Sequence, residues 1–449
     1  MMTLPMLAEG DALTRERAWR TLEMVFDKTQ APSGFFLGIG DGETFYSDGF
    51  DRPSPHRMHM VRKSGDWLYF ALKHFDLFRK LGRPIPAAWE QSIRRLADAF
   101  VRLFDTYGQF GQFVDVETGK LLVGGSTSGA IISGALARAA AWFGEPDFLR
   151  VAESSASRYY QNHLRKGLTT GGPGEILSSP DSESAFALLE SFVALLEATG
   201  SAFYATAARE AAAQAATWVV AYDHRFPTDS SLGKAGVHSA GAVIANIQNK
   251  HAAPGICTFS GDSLFRLWRA TGDELALDLI RDIARGMPQY VSRDDKPLSP
   301  AMRPGWMCER VNLSDWETAD GVGGCLFGSC SWVETSMMLT TWEIPGLYVQ
   351  PDTGRFVVFD HVIAKRVACT DNSMHLEILN PTRFDAEIRV LCESSSASAK
   401  PLGTNPMFGS GVLSLAAGES ATVEFSTSGW ARLECDNETN TKAADPCLA

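Results

Sequence analysis

The sequence predicts a mainly α-helical fold: an (α/α)6 toroid of helical hairpins followed by a C-terminal antiparallel β-sandwich. Helical periodicity runs from about residue 11 to residue 343, and a glycine join recurs between successive helices. After Ile344-Pro345-Gly346 the chain changes to short runs rich in Val, Ile and Phe. The chain has 449 residues, 45% of them apolar and 21% charged, which suits a folded protein of two or three domains rather than a disordered one.

Ten segments carry apolar residues at helical rather than alternating spacing, which predicts helices that bury one face or more. In the first of them, Trp19, Leu22 and Phe26 fall on one face. The segments are Ala12–Thr29, Gly65–Leu81, Ala87–Tyr107, Ser128–Phe143, Asp147–Leu164, Asp181–Thr199, Phe203–Tyr222, Ser260–Thr271, Glu274–Tyr290 and Ser331–Glu343.

Four of the predicted helices end at Gly82, Gly144, Gly200 or Gly272, and the next helix begins within a few residues. A glycine after the last turn adopts a positive φ without steric cost, and a short link then starts an antiparallel partner. These joins lie 56 to 72 residues apart, the length of a helical hairpin with a long return loop. Such a repeat indicates an array of hairpins, and about six fit before residue 344. We therefore expect residues 1–344 to form an (α/α)6 barrel.

The C-terminal part predicts strands because short apolar runs are separated by turn-forming residues, with no helical segment between them. We expect an antiparallel β-sandwich over residues 345–435 and a polar tail over residues 436–449. The predicted strands are Phe356–Phe359, Met374–Leu379, Ala386–Leu391, Gly411–Leu415, Ala421–Phe425 and Trp430–Glu434.

Charge and composition exclude several kinds of partner. The net charge is −12 and the chain has no basic blocks, which argues against nucleic acid. No apolar run reaches the roughly 18 residues of a membrane helix, and the N-terminus lacks the pattern of a secretory signal. The eight cysteines are scattered without a C-x-x-C pair, so we expect reduced thiols, a cytoplasmic protein, and neither metal nor cofactor. The sequence leaves open whether the protein forms a homo-oligomer.

Four polar or aromatic loops lead into predicted inner helices, where a toroid presents its site. In the first, the cations Arg62 and Lys63 precede Asp66 at a predicted helix start beside Trp67, which suggests an anion clamp next to a sugar-stacking ring, or merely a capped helix start with a solvated basic pair. In the second, Asp181 and Glu183 enter a helix. Capping accounts for one acid, so we expect the other to contact substrate.

The third loop holds Gln248, Asn249 and His251 before a rigid Pro-Gly bend. The fourth loop, residues 302–317, concentrates tryptophan, arginine and carboxylate side chains in a stretch without periodicity. Aromatic faces together with ion pairs are typical of sugar sites. From this loop we select as site residues Arg303, Glu309, Arg310 and Trp316.

Glycoside cleavage needs two carboxyl groups that flank the bond, one acting as the acid and the other as base or nucleophile. We expect Glu309 and Asp181 to form this pair because they lie on different hairpins, and we expect the apolar neighbours Trp306 and Met307 to keep Glu309 protonated. The arginines exceed what a neutral sugar needs, which favours a uronic-acid glycoside or oligosaccharide as substrate. Reserve carboxylates are Glu183, Asp66, Asp262 and Asp315.

The segments Gln248–Cys257 and Trp306–Arg310 resemble family 154 of the glycoside hydrolases. The resemblance implies β-glucuronidase activity. The expected architecture is also similar to unsaturated glucuronyl hydrolases, which normally lack a β-sandwich. The family 127 β-L-arabinofuranosidases pair a toroid with sandwiches and use a zinc-bound cysteine, but the tight cysteine pair of that site is missing near Cys308.

The residues are also compatible with two other functions. A uronate polysaccharide lyase would neutralise the substrate carboxylate and abstract a proton from carbon, tasks that Asn249 and His251 could perform. A catalytically inactive carbohydrate-binding protein would keep the aromatic and charged loops without turnover.

Overall fold

The chain folds into two compact units in a computed structural model that describes residues 1–40, 43–48, 57–249, 251–299, 301–313, 325–370 and 372–433. The first unit comprises Met1–Ile344 and Pro401–Phe408, and the second comprises Pro345–Lys400 and the chain from Gly409 onward. The return of residues 401–408 to the first unit has a clear cause. The Asn405 side-chain amide donates to the Lys73 carbonyl at 2.8 Å, and Lys80 donates to the Asn405 carbonyl at 3.0 Å.

Helices dominate the first unit, and all ten predicted segments are confirmed as helical. Their bounds differ from the prediction mainly at the ends, and two short helices, the first and the ninth, carry too little periodicity to be foreseen. The helices are α1 Thr3–Glu9, α2 Ala12–Lys28, α3 Val61–Lys80, α4 Ala87–Tyr107, α5 Ala130–Phe143, α6 Pro146–Asn162, α7 Ser182–Thr199, α8 Ala202–Ala216, α9 Ser231–Ala235, α10 Asp262–Thr271, α11 Glu274–Gly286 and α12 Ser331–Glu343.

Packing within this unit follows the order expected of helical hairpins. The hairpin partners α1 and α2, α3 and α4, α5 and α6, α7 and α8, and α10 and α11 contact each other. One helix of each pair also packs on the next, from α3 through α5 and α7 to α10, while α1 contacts both α3 and α12. The Thr340 hydroxyl of α12 donates to the carbonyl of Ser260, just before α10. The series of contacts therefore returns to its starting helix, the neighbour order of an (α/α)6 arrangement.

The glycine joins have the predicted backbone conformation. Gly82, Gly144, Gly200 and Gly272 have φ values between +65° and +71°, and the last three are the C-caps of α5, α7 and α10. The long return loops, in contrast, contain small antiparallel sheets that the sequence did not indicate. Their strands are β1 Ile39–Gly40, β2 Phe45–Tyr46, β3 Met58–Met60, β4 Phe113–Asp115, β5 Leu121–Val123, β6 Val243–Ile244, β7 Ala252–Ala253, β8 Arg310–Asn312 and β9 Cys325–Phe327.

The second unit contains two four-stranded sheets, ordered β11-β10-β14-β15 and β12-β13-β16-β17. One hydrophobic core, including Leu347, Leu376, Val390 and Phe425, draws residues from both sheets. All strand pairs are antiparallel except β10 with β14, which departs from the predicted antiparallel pattern because the chain crosses to the other sheet between them. The elements are β10 Leu347–Gln350, β11 Arg355–Val358, β12 Ile363–Cys369, β13 Ser373–Leu379, β14 Ala386–Cys392, α13 Ser395–Ser398, β15 Val412–Leu415, β16 Ser420–Ser426 and β17 Gly429–Arg432.

Two further expectations concern the polar tail and membrane-spanning helices. The polar tail lies outside the described residues, since the description ends at residue 433. Among the helices of the described ranges, none combines the length and apolar character needed to cross a membrane.

Candidate active site

A cavity of about 710 Å³ in the first unit gathers side chains from the starts of α3 and α7 and from the loops around β7 and β8. Eight of the residues selected from the sequence line it: Arg62, Asp66, Trp67, Glu183, Asn249, His251, Glu309 and Arg310. Apolar side chains from the segment after α2, including Phe36, Ile39 and Phe45, form another part of the wall. The cavity thus combines an apolar face with carboxylate and cationic groups, as sugar sites do.

Arg62 lies at the centre of the polar part of the wall. It is buried in the first turn of α3, and its guanidinium donates to Glu183 Oε2, to the Gly172 carbonyl at 3.1 Å and to Thr258 Oγ1 at 2.9 Å. Its Nε lies 3.4 Å from Asp66 Oδ2, one helical turn further along. The protein therefore occupies most of the donor capacity of Arg62, which holds carboxylates in place rather than reaching freely into the cavity.

Asp66 and Trp67 occupy the next turn of α3. Burial raises the pKa of Asp66 to about 6, although the neighbouring Arg62 guanidinium acts in the opposite direction. One carboxylate oxygen of Asp66 and the indole nitrogen of Trp67 are buried and have no hydrogen-bond partner among the described residues. The Trp67 ring packs against Phe26 and Phe36, with ring centroids 5.1 and 5.9 Å away. The aromatic cluster fixes Trp67 at the cavity wall.

Asp181 and Glu183 stand in different environments although they are two residues apart. Asp181 is the fully buried N-cap of α7, and its carboxylate accepts from the Ser184 amide at 2.7 Å and the Gly172 amide at 3.0 Å. Burial raises its pKa to about 6 against these two hydrogen bonds. Asp181 is not among the residues that line the cavity, whereas Glu183 lines it and pairs with Arg62. Helix capping accounts for the bond from Ser184, and the bond from Gly172 ties the same carboxylate to the preceding loop.

Glu309 lies on the cavity wall immediately before β8, far from α3 and α7 in the sequence. Its amide donates to the Gly328 carbonyl at 3.3 Å, and β8 pairs with β9 and β7, which fixes the position of the residue. The side chain is 31% exposed, and its Oε1 lies 3.9 Å from Nε of Arg310. The neighbours named in the sequence argument lie elsewhere: Met307 is buried in a separate core cluster, and Trp306 is exposed at the surface.

Two further selected residues, Arg303 and Gln248, do not line the cavity. Arg303 is exposed and stacks over Trp306, with 5.6 Å between the guanidinium and the ring centroid. Gln248 is exposed in a turn. Trp316, like the reserve carboxylate Asp315, lies outside the described residues. Asp262, another reserve, is buried in an ion pair with Arg266.

Two further cavity residues, Lys63 of the predicted anion clamp and Cys257 at the end of the third loop, were not selected as site residues from the sequence. Lys63 stands next to Arg62 and pairs with Asp48, yet 44% of its side chain is exposed. Cys257 is a free thiol whose pKa is raised to about 11 by burial. Nothing in the spacing of these residues indicates a shared site, because loops distant in sequence bring them together. Within the described part of the chain, no three His, Cys, Asp or Glu side chains are arranged to hold a metal ion.

No protein-family model matches the sequence, and no curated protein is similar to it in sequence. Among solved structures, the chain aligns with a cellobiose 2-epimerase from Bacillus thermoamylovorans B4167 at 8% identity, covering 76% of this chain and 84% of that one, with a TM-score of 0.49. A GH76 α-mannanase from Bacteroides thetaiotaomicron aligns at 14% identity, with 76% and 83% coverage and a TM-score of 0.47.

A GH127 β-L-arabinofuranosidase from Geobacillus stearothermophilus T6 aligns at 12% identity, covering 95% of this chain and 70% of that one, with a TM-score of 0.45. All three are carbohydrate-active enzymes.

Proposed function

We propose that the protein is a glycoside hydrolase that releases glucuronic acid from β-glucuronides. The observation that carries the proposal is the cavity itself, where Glu183 and Glu309 come from separate elements and share the wall with Lys63 and Arg310. Two carboxyl groups suffice for acid/base or nucleophilic cleavage of a glycosidic bond. The cations provide charge for a substrate carboxylate.

The environments of the two carboxylates favour different roles. Glu183 is ion-paired with the buried Arg62, which supports a charged base or nucleophile. Glu309 is another carboxyl group of the cavity wall, and its Oε1 lies 3.9 Å from Nε of Arg310, a looser contact than the pair of Arg62 with Glu183. We therefore assign the general acid to Glu309 and the second carboxylate to Glu183, in place of Asp181. Arg62 becomes the residue that positions Glu183.

The resemblance to glycoside hydrolase family 154 supports the same substrate class. Both segments that carry it contribute to the cavity wall, the first through Asn249, His251 and Cys257 and the second through Glu309 and Arg310. If these residues were scattered over the surface, the resemblance would say nothing about function. The two segments instead meet at one cavity, which fits a family-specific site.

A panel of aryl glycosides tests the proposal. We expect the aryl β-glucuronide to be cleaved with a kcat/KM roughly 30- to 800-fold above the matching glucoside, because a missing charged contact costs about 2–4 kcal/mol. The matched glucoside differs only at the carboxylate, so it serves as the control. Equal kcat/KM values for the two substrates would contradict a uronate-specific site.

A uronate lyase is the second candidate, favoured by the position of Asn249 and His251 on the same wall. A lyase breaks the bond by β-elimination and leaves an unsaturated uronate, which absorbs in the ultraviolet. A hydrolase leaves a saturated sugar with a free reducing end. The product formed from a uronate-containing oligosaccharide therefore decides between the two reactions.

A further inference from the structure

Asp48, His59 and Ser64 form a continuous chain of polar contacts at the cavity, separate from the carboxylates proposed for glycoside cleavage. Nε2 of His59 lies 2.8 Å from Oγ of Ser64, and Nδ1 of the same ring lies 2.8 Å from Oδ2 of Asp48. All three residues are buried, and both His59 and Ser64 line the cavity. A serine hydroxyl, an imidazole and a carboxylate in this order are the parts of a nucleophilic relay.

The Asp48 carboxylate, the last of the three groups, is held in its charged form. Burial raises the pKa of Asp48, but His59 and Lys63 outweigh this effect and bring the pKa to about 2. The same carboxylate accepts from the Met60 amide at 2.8 Å, which fixes its orientation. The ring N–H of His59 is not aligned with the Asp48 oxygen as in a linear hydrogen bond. Catalytic hydrogen bonds commonly tighten only when substrate binds.

Ser64 occupies a position that suits a developing negative charge. It is the fourth residue of α3, a helix of 20 residues whose N-cap, Met60, provides no side-chain acceptor. The first turn of a long helix carries positive potential from the aligned peptide dipoles. The Phe36 amide donates to Ser64 Oγ at 3.2 Å and adds a fixed dipole at the same point.

The geometry points to a serine-dependent hydrolysis of small carboxylic esters in this cavity, of the kind carried by esterified sugars. Ser64 Oγ attacks the ester carbonyl carbon while its proton passes to Nε2 of His59. The bond from the acyl carbon to the alcohol oxygen then breaks, and the alcohol leaves with that proton. Water attacks the acyl-serine, returns a proton to Ser64 through His59 and releases the carboxylic acid.

The alternative is that the three side chains merely fasten β3 to the start of α3, and a covalent probe separates the two. We expect a fluorophosphonate to label the full-length protein at Ser64 and the protein to hydrolyse p-nitrophenyl acetate. Ser64→Ala should abolish labelling and lower hydrolysis at least a hundredfold. Ser182→Ala is the matched control and should label like the wild type, because the Ser182 hydroxyl lines the same cavity but donates to the Ala245 carbonyl.

Asp48→Asn tests the relay rather than the nucleophile. It should keep the fold, shown by an unchanged circular dichroism spectrum, and lower ester kcat at least tenfold with little change in KM. Absence of labelling in the wild type, or equal labelling of Ser64→Ala, would overturn the inference. Aryl glucuronide cleavage is measured on the same preparations. Because the ester reaction does not depend on Glu183 or Glu309, failure of the ester inference can be told apart from failure of the proposed glycosidase function.

Discussion

Glu309 is the residue on which the proposed acid catalysis depends. The change Glu309→Gln keeps the size of the side chain and replaces the carboxyl group with an amide that cannot act as a general acid, so turnover of a substrate with a poor leaving group should fall roughly a hundredfold or more. Aryl glucuronides with acidic phenols need little protonation and should lose less. Steady-state kcat across a leaving-group series measures this. Wild-type turnover on the poorest leaving group would exclude Glu309 as the acid.

Asp181 and Glu183 provide a comparison between capping and catalysis within one helical turn. Asparagine at 181 keeps one acceptor but cannot accept from both the Gly172 and Ser184 amides, so Asp181→Asn should cost about 1–2 kcal/mol of stability and leave kcat within a few-fold. Glu183→Gln still accepts from Arg62 but cannot act as base or nucleophile. It should therefore stay folded and lose at least a hundredfold in kcat.

Thermal unfolding and kcat measured on both variants decide the assignment. Loss of turnover in Asp181→Asn with wild-type stability would return the second carboxylate to Asp181, the residue that the sequence favoured. If both variants remain active, the second carboxylate lies outside the start of α7.

Eight of the residues selected from the sequence line the cavity, because polar and aromatic residues in long loops are a usable signal of a site. The sequence favoured Asp181 over Glu183, but residues at both positions can begin a helix, and only the fold shows that Glu183 lines the cavity. Arg303, which the sequence also selected, does not line the cavity and lies over the Trp306 ring. The His59 and Ser64 pair carried no signal, because neither residue type is unusual and no known spacing connects them to Asp48, 11 residues before His59.

Among the elements, helices with several turns were predictable from periodicity and from the glycine at the end. The 2- and 3-residue strands β6 to β9 were not, because an alternating pattern needs more residues than they contain. These strands nevertheless position Glu309 and His251. Part of the site therefore lies beside elements that sequence patterns describe poorly, while the predicted helices α3 and α7 carry Arg62 and Glu183.

The glycine joins make a prediction at the scale of one helix. Gly144 caps α5 with φ of +65°, and an added Cβ would meet no atom within 4 Å. Gly144→Ala should therefore destabilise through backbone strain alone, by about 1–2 kcal/mol, and Gly144→Asn by less. Denaturant unfolding measures both. Equal stability of Gly144→Ala and the wild type would show that the left-handed cap is not required.

Gly134, in the middle of the same helix, provides the contrast. There an added Cβ would lie 2.8 Å from the Ser191 Cα on α7, so the two helices would have to move apart. Alanine normally favours a helix interior by about 1 kcal/mol over glycine. Gly134→Ala should nevertheless destabilise by about 1–3 kcal/mol, because packing outweighs propensity where two backbones meet. A stabilised Gly134→Ala variant would argue against this close helix contact.

Within the first unit as a whole, helices from different hairpins meet at a buried network of charges. Lys73 of α3 pairs with Glu343 of α12 and lies 4.0 Å from Asp262 of α10, which also accepts from Arg266 at 2.8 Å. Glu190 of α7 accepts from the Tyr69 hydroxyl of α3. Buried charges are tolerated only when they are paired, so this network ties the order of the helices to a specific set of partners.

Glu190 gives this network a measurable dependence on pH. Burial, reinforced by the nearby Asp262 carboxylate, raises the pKa of Glu190 from 4.5 to about 7, while Lys73 and the Tyr69 hydroxyl act in the opposite direction. Between pH 4.5 and 7 the folded state holds a proton that the unfolded state releases. The stability from Glu190 is therefore fully present below pH 4.5 and lost as the pH rises through 7.

Glutamine at position 190 keeps an acceptor for Tyr69 and does not titrate. The stability of Glu190→Gln relative to the wild type should therefore increase as the pH is raised from about 5 to 8, whatever its sign at pH 5. Denaturant unfolding at both pH values measures this difference. Glu16→Gln, at an exposed position on α2, is the matched control and should show no such increase. The quantity compared is the free energy of unfolding of Glu190→Gln minus that of the wild type. If this quantity stays constant or falls as the pH is raised, Glu190 is already ionised at the centre of the folded unit, held by Lys73 as a charged pair.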